Sequence, residues 1–217
     1  MNKVKYLLVA SEGCPYAQRI HIILREKGVE YESKNIDLRN KPDWFLQRSP
    51  LGKVPLFCLG EVSLFDSFVI GEYLEDAFPA AAPLDPLQRG LSRSWILYGS
   101  ELMGHLGKAV MAKDKAEFEI QLQHLKNGLG KLESHVPEKG FFLGPQFNVI
   151  DAAYAPFFQC FRFFEKLEVA GLFADLPKTE LWKNRILAHQ SVIAASPRQF
   201  PDGYRKHLEA MGAYIVS

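Results

Sequence analysis

Residues 4–28 read VKYLLVASEGCPYAQRIHIILREKG. The apolar run from Val4 to Val9 has the length and β-branching of a buried strand. Pro15 suits the first position of a helix, Ile20, Ile23, Leu24 and Lys27 recur at helical spacing with a mainly apolar face, and Gly28 suits the left-handed stop just past the end. The stretch therefore predicts a strand feeding a helix over Pro15–Lys27, with Cys14 at the junction.

Reading outward, Val29 to Ile36 alternates as a half-buried strand would, and the charged stretch Asp37 to Asp43 follows. A short helical segment, Trp44 to Arg48, is ended by the breaker-rich Ser49-Pro50-Leu51-Gly52. Pro55 to Leu59, the turn Gly60-Glu61 and Val62 to Phe65 predict a hairpin, and Ser67 to Phe78 returns to helical spacing. The order β-α-β-α-β-β-α places an α/β domain in residues 1–79. Prolines at 79, 83 and 86 restrict themselves and their neighbours, so residues 80–86 read as a linker. From Leu87 strand signals stop. Segments near 87–112, 114–136, 148–168 and 178–195 carry helical periodicity, so residues 87–217 are expected to form an all-α helical bundle.

The bulk composition narrows the function. Of 217 residues, 47% are hydrophobic and 24% charged, the balance of an ordinary folded protein. Lys+Arg number 26 against 25 Asp+Glu, a net charge of +1. That balance gives no pull towards nucleic acid or an anionic bilayer, so neither is expected as a partner. The start of the chain lacks a signal-peptide pattern, and no window approaches the ~18 apolar residues of a membrane span. Three widely spaced cysteines, Cys14, Cys58 and Cys160, argue against a disulfide scaffold and for a reducing, cytoplasmic setting.

Cys14 is the residue most suited to chemistry. A sulfur at the start of a helix lies near the unpaired N–H groups of the first turn, an arrangement expected to lower its pKa and favour the nucleophilic thiolate. The fourth position of Cys14-Pro15-Tyr16-Ala17 is alanine, so the tetrad holds no resolving thiol and a second thiol must come from outside. Cys58 in a hairpin strand and Cys160 in an apolar helix read as core residues. No metal site is expected.

A βαβαββα order is that of thioredoxin-like folds, where a cis-proline faces the active cysteine. Val54-Pro55 stands at that point, and a cis bond there would offer Val54's backbone to an extended peptide. A trans proline opening an edge strand is the other reading. Asp66-Ser67 lies between hairpin and helix. It reads either as a simple N-cap or as a receptor, with Ser67 taking a carboxylate and Asp66 the adjacent ammonium of a γ-glutamyl group. Gly144 to Asp151 reads as a buried helix start capped by Asn148, with Asp151 reaching back.

Taken together, these residues resemble the cytosolic glutathione transferases, and within them the omega-like, cysteine-type members. The resemblance rests on Cys14 to Arg19, Asn40 to Phe45, Pro50 to Pro55, Phe65 to Ser67 and the capping segment at 144–151. Asn148 replaces the family's usual hydroxyl residue there, and Asp66 its commoner Glu. The resemblance implies glutathione as co-substrate, held by Cys14, Lys41 at the glycyl carboxylate, Val54 with Pro55, and Asp66 with Ser67. It implies thioltransferase or dehydroascorbate-reductase-type activity through a Cys14 mixed disulfide, acting on a small electrophilic or disulfide substrate, with conjugation secondary. A homodimer is implied in the same way. The alternative is a non-enzymatic binding or regulatory protein of the same fold, like the starvation-protein relatives. For the second substrate, Tyr16 and the first long α-domain helix with Trp95, Tyr98 and Met103 are expected to face Cys14, although aromatics at that spacing equally suit a core.

Overall fold

Strand β1 (Tyr6–Ala10) occupies an interior place in the sheet, and the first half of the chain is arranged around it in this computed structural model, which describes residues 5–80, 84–196 and 201–217. It pairs in parallel with β2 (Glu32–Asn35) and antiparallel with β3 (Leu56–Leu59), which pairs antiparallel with β4 (Val62–Phe65). The strand order is β2-β1-β3-β4. Because side chains alternate across a strand, Leu8 and Phe57 face one side, against α1 (Pro15–Glu26) and α3 (Ser67–Ala77). Val9, Leu56 and Cys58 face the other, where Phe45 of α2 (Asp43–Arg48) covers them.

Helix α1 ends as its sequence suggests. Gly28 takes φ +62°, its N–H donates to the Arg25 carbonyl, and the Val29 N–H donates to Leu24. This is a Schellman closure, which a Cβ at residue 28 would strain. The expectation of a half-buried strand at 29–36 is corrected: β2 is four residues long and all four are exposed. As an edge strand of polar sequence it buries nothing itself, and Ile36 just beyond it carries the apolar contact. Val4 lies outside the described residues.

The second half of the described chain is helical. Helix α4 (Pro86–Met111) begins one residue inside the expected linker, because Asp85 and Gln88 form a capping box around Pro86. Ala81 to Pro83 of that linker lie outside the described residues. Helix α5 (Lys115–Glu133) follows, then α6 (Val149–Cys160). The expected helix at 148–168 is two, since the chain turns at 161–164 before the short α7 (Glu165–Glu168). Phe157, Phe158, Phe161 and Phe164 are all buried, so apolar spacing runs through the turn and conceals it. The expected helix at 178–195 likewise breaks at His189, whose extended backbone separates α8 (Pro177–Ala188) from α9 (Gln190–Ala195) without a Gly or Pro to announce it. Helix α10 (Asp202–Ala210) was not marked by periodicity. Its sequence is mostly polar and Leu208 is its buried residue.

The α6 start is built as its sequence implies. Asn148 Oδ1 accepts from the Ile150 N–H, and Asp151 accepts from the N–H groups of Asn148 and Phe142 and from Trp182 Nε1 at 2.7 Å. Asp151 is wholly buried, and burial pushes its pKa up to about 6 against these donors. The folded chain therefore takes up a proton near pH 6 that the unfolded chain takes up near ~3.9. Stability from this group rises as pH falls from about 6 towards 4. Urea titrations should show the gap between wild type and Asp151→Asn widening over that interval. Asp151→Ala, which strands the buried Trp182 Nε1 donor at about 1–3 kcal/mol and leaves the half-buried N–H groups of Phe142 and Asn148 without their acceptor, should cost several kcal/mol at any pH.

Candidate active site

Cys14 is the residue at which α1 starts. Its backbone is extended (φ −72°, ψ 113°), its N–H closes a turn onto the Ser11 carbonyl, and the preceding Gly13 takes φ +76°. A Cβ on Gly13 would lie 3.1 Å from the ring of Pro201, so α10 begins directly against this turn. The backbone N–H groups of Tyr16 and Ala17 and the charge of Arg19 act on the sulfur to favour the thiolate. Burial outweighs them, and the thiol is raised above its ordinary value. The helix-start argument thus has the sign of the donors right and the net direction wrong. Desolvation of the sulfur is the larger effect.

The structure brings the other glutathione-type residues around the same strand ends. Val54-Pro55 is a cis peptide, and among the described residues Val54's N–H and C=O make no hydrogen bond. Lys41 Nζ lies 3.7 Å from the point where a side chain on Gly52 would begin, which sets its ammonium over the loop carrying Val54. Asp66 caps α3 by accepting from the Phe68 N–H at 2.8 Å. It does so at φ +72°, alone among the described non-glycine residues in having positive φ. Its carboxylate is exposed while Ser67 beside it is buried.

Arg19 is the residue that sequence reasoning passed over. It is 2% exposed, reaches Ser67 Oγ at 3.5 Å, Ser100 Oγ at 3.3 Å and the Ala153 carbonyl at 3.4 Å, and leaves Nε without a partner. No carboxylate pairs with it among the described residues. Its position on α1 four residues past Pro15, facing inward beside isoleucines, was the available signal. Its guanidinium lies 5.7 Å from the Tyr16 ring centroid.

Tyr16 stays near Cys14, within the influence of Glu101 on α4. Trp95, Tyr98 and Met103 do not join it. Trp95 packs against Tyr98, His135 and Phe142, Tyr98 donates to the Gly128 carbonyl at 2.9 Å, and Met103 is buried in the helical core. On α4, Ser100 reaches α1 instead, its Oγ accepting from Arg19 at 3.3 Å. A cleft of about 680 Å³ also opens beside Cys14, along α1 towards Tyr31, Ser33 and Asn35. Val54, Asp66 and Ser67 are not among the residues lining it.

Comparison with known proteins decides the family. Residues 8–83 match the glutathione S-transferase N-terminal domain and residues 112–182 the C-terminal domain. The chain belongs to the glutathione S-transferase family. It is 31% identical over 199 residues to glutathione S-transferase omega-1 of Mus musculus, covering 90% of this chain and 81% of that one. It is 34% identical over 145 residues to a probable cytosolic glutathione S-transferase, DHAR1, of Oryza sativa subsp. japonica, covering 66% and 64%. Among solved structures, glutathione transferase Omega 3C from Trametes versicolor aligns with a TM-score of 0.77 at 27% identity, over 92% of this chain and 93% of that one. Omega-class members are thus among the relatives of this transferase.

With its thiol raised by burial, Cys14 should react with iodoacetamide slowly at pH 7. The rate should climb through a midpoint above the ~8.5 of an ordinary cysteine. Arg19→Met removes a charge that favours the thiolate and should slow alkylation at pH 7 by about threefold to tenfold. A stopped-flow pH profile of both proteins reads this directly, and an unchanged profile would leave Arg19 a purely structural cation.

Proposed function

We propose that this chain is an enzyme of glutathione-dependent thiol transfer, working through a mixed disulfide between Cys14 and glutathione. The observation that carries this is a single thiol at the start of α1, aimed at by two backbone N–H groups, with alanine at the fourth tetrad position. Glutathione would lie with its glycyl carboxylate at Lys41, its cysteinyl backbone at Val54 and its γ-glutamyl group at Asp66 and Ser67. The Cys14 thiolate attacks the glutathionyl sulfur of a mixed disulfide, and the substrate thiolate leaves and takes a proton from water. A second glutathione thiolate then attacks the enzyme-bound glutathionyl sulfur, releasing oxidised glutathione, and the electron pair returns to Cys14.

Burial makes Cys14 a slower attacker and a poorer leaving group at neutral pH, so both steps depend on the N–H groups and Arg19 that oppose it. The similarity to omega and DHAR members supports the same reading. We extend the proposal to dehydroascorbate as a second acceptor, conjugation as a minor activity, a cytoplasmic setting and a homodimer.

Cys14→Ser should lose thiol transfer from the mixed disulfide of glutathione and 2-mercaptoethanol by about a hundredfold or more. It should retain, or gain, conjugation of a chlorinated aromatic. Mass spectrometry of the wild-type chain treated with oxidised glutathione should place one glutathionyl group on Cys14. A variant as active as wild type in both assays would sink the proposal. Glutathione retention lost on Ser67→Ala, without turnover of either substrate, would favour the non-enzymatic alternative.

A further inference from the structure

The cleft beside Cys14 has a wall that the thiol-transfer reading leaves unused. It follows α1 from Cys14 past His21 to Arg25, an advance of about 16 Å at roughly 1.5 Å per residue. Opposite stands β2, with Ser33 and Asn35 among the lining residues and the end of α9 closing one side. Tyr31 continues that wall, its hydroxyl 2.7 Å from His21 Nδ1 and hydrogen-bonded to Arg25.

The register determines what β2 offers. Leu8 lies opposite Ser33 and Ala10 opposite Asn35, and the Ile36 N–H donates to the Ala10 carbonyl at 2.9 Å. In a parallel pair the N–H and C=O of alternate residues turn to the same side. Glu32, Lys34 and Ile36 therefore turn theirs towards β1, while Ser33 and Asn35 turn theirs away from it. Among the described residues no strand pairs with that outer edge. The two residues with outward backbone groups are thus two that line the cleft.

We propose that this edge is a docking strand for an extended peptide whose glutathionylated cysteine is the substrate of Cys14. Two pairs of backbone donors and acceptors, repeating every second residue, match an added strand and have no counterpart on a small apolar electrophile. The length from Arg25 to Cys14 matches about five extended residues at roughly 3.3 Å each. His21, Tyr31 and Arg25 add polar groups along this wall. This rests on the thiol-transfer reading. The added step is the same one: Cys14 sulfur bonds to the glutathionyl sulfur, the bond to the peptide's sulfur breaks, and the peptide thiolate is protonated by water.

The test uses a pair of blocked heptapeptides of valine and threonine with the glutathionylated cysteine one residue from either end, so that five residues can run along the edge. The glutathione–2-mercaptoethanol disulfide serves as a substrate with the same reacting bond and no backbone. Ser33→Pro removes an outward N–H without touching the ladder to β1, a replacement edge strands tolerate. It should raise KM for the better of the two peptides about tenfold and leave the small disulfide unchanged. Methylating alternate amides of that peptide should do the same on the unaltered chain.

Docking is also read without chemistry, by fluorescence anisotropy of a labelled heptapeptide carrying serine for cysteine, titrated onto Cys14→Ser. Binding weakened about tenfold by Ser33→Pro supports the edge even if neither disulfide is turned over, an outcome that counts against the thiol-transfer reading alone. No binding, binding indifferent to Ser33→Pro and to methylation, or an equal loss on both substrates overturns the proposal.

Discussion

Everything in this protein is arranged around the burial of one helix on several sides. Helix α1 lays Ile20, Ile23 and Leu24 into the core shared with the sheet and α3, and its inward polar residues meet the helical half. Gln18 bonds Gln159 of α6 and Ser196 after α9, and Glu26 bonds Ser191 of α9. A helix held in this way has little freedom to shift, so the residue at its start is held too. That is how an ordinary packing requirement becomes precision at Cys14.

The same burial sets the chemistry against itself. Shielding the sulfur raises its pKa, whereas the two N–H groups and Arg19 pull it down. Arg19 carries a comparable tension, a guanidinium removed from water among hydroxyls and a carbonyl, with no carboxylate paired to it among the described residues. Beside Ser67 and near Cys14, its charge favours the thiolate.

Much of this was legible in the sequence because local signals and packing agree. Pro15, Gly28, the hairpin turn at Gly60 and the Asn148 capping box each perform the backbone role their chemistry suggests. What stayed hidden depends on contacts between distant residues. The turn after Cys160 and the break at His189 carry no Gly or Pro, and buried aromatics continue the helical period across the first of them. At the candidate site, Val54, Asp66 and Ser67 are legible from their places before a strand and a helix, whereas Lys41 enters through the family resemblance alone. Which residue of α4 reaches α1 could not be read in this way, because nothing local in the sequence pairs Ser100 with Arg19. Nor could a single chain show that desolvation wins at Cys14, since that is a property of what packs on it.

Part of what packs on it is the end of the chain. Pro201 sits against Gly13, and Tyr204, one turn along α10, is close enough to feel the charge of Cys14. Helix α10 buries few of its own side chains, so it is held more loosely than the helices beneath it. Warming that frays this helix would let water reach the sulfur before the core gives way, and hydration favours the thiolate. Reactivity at Cys14 would then climb with temperature faster than an exposed thiol's does.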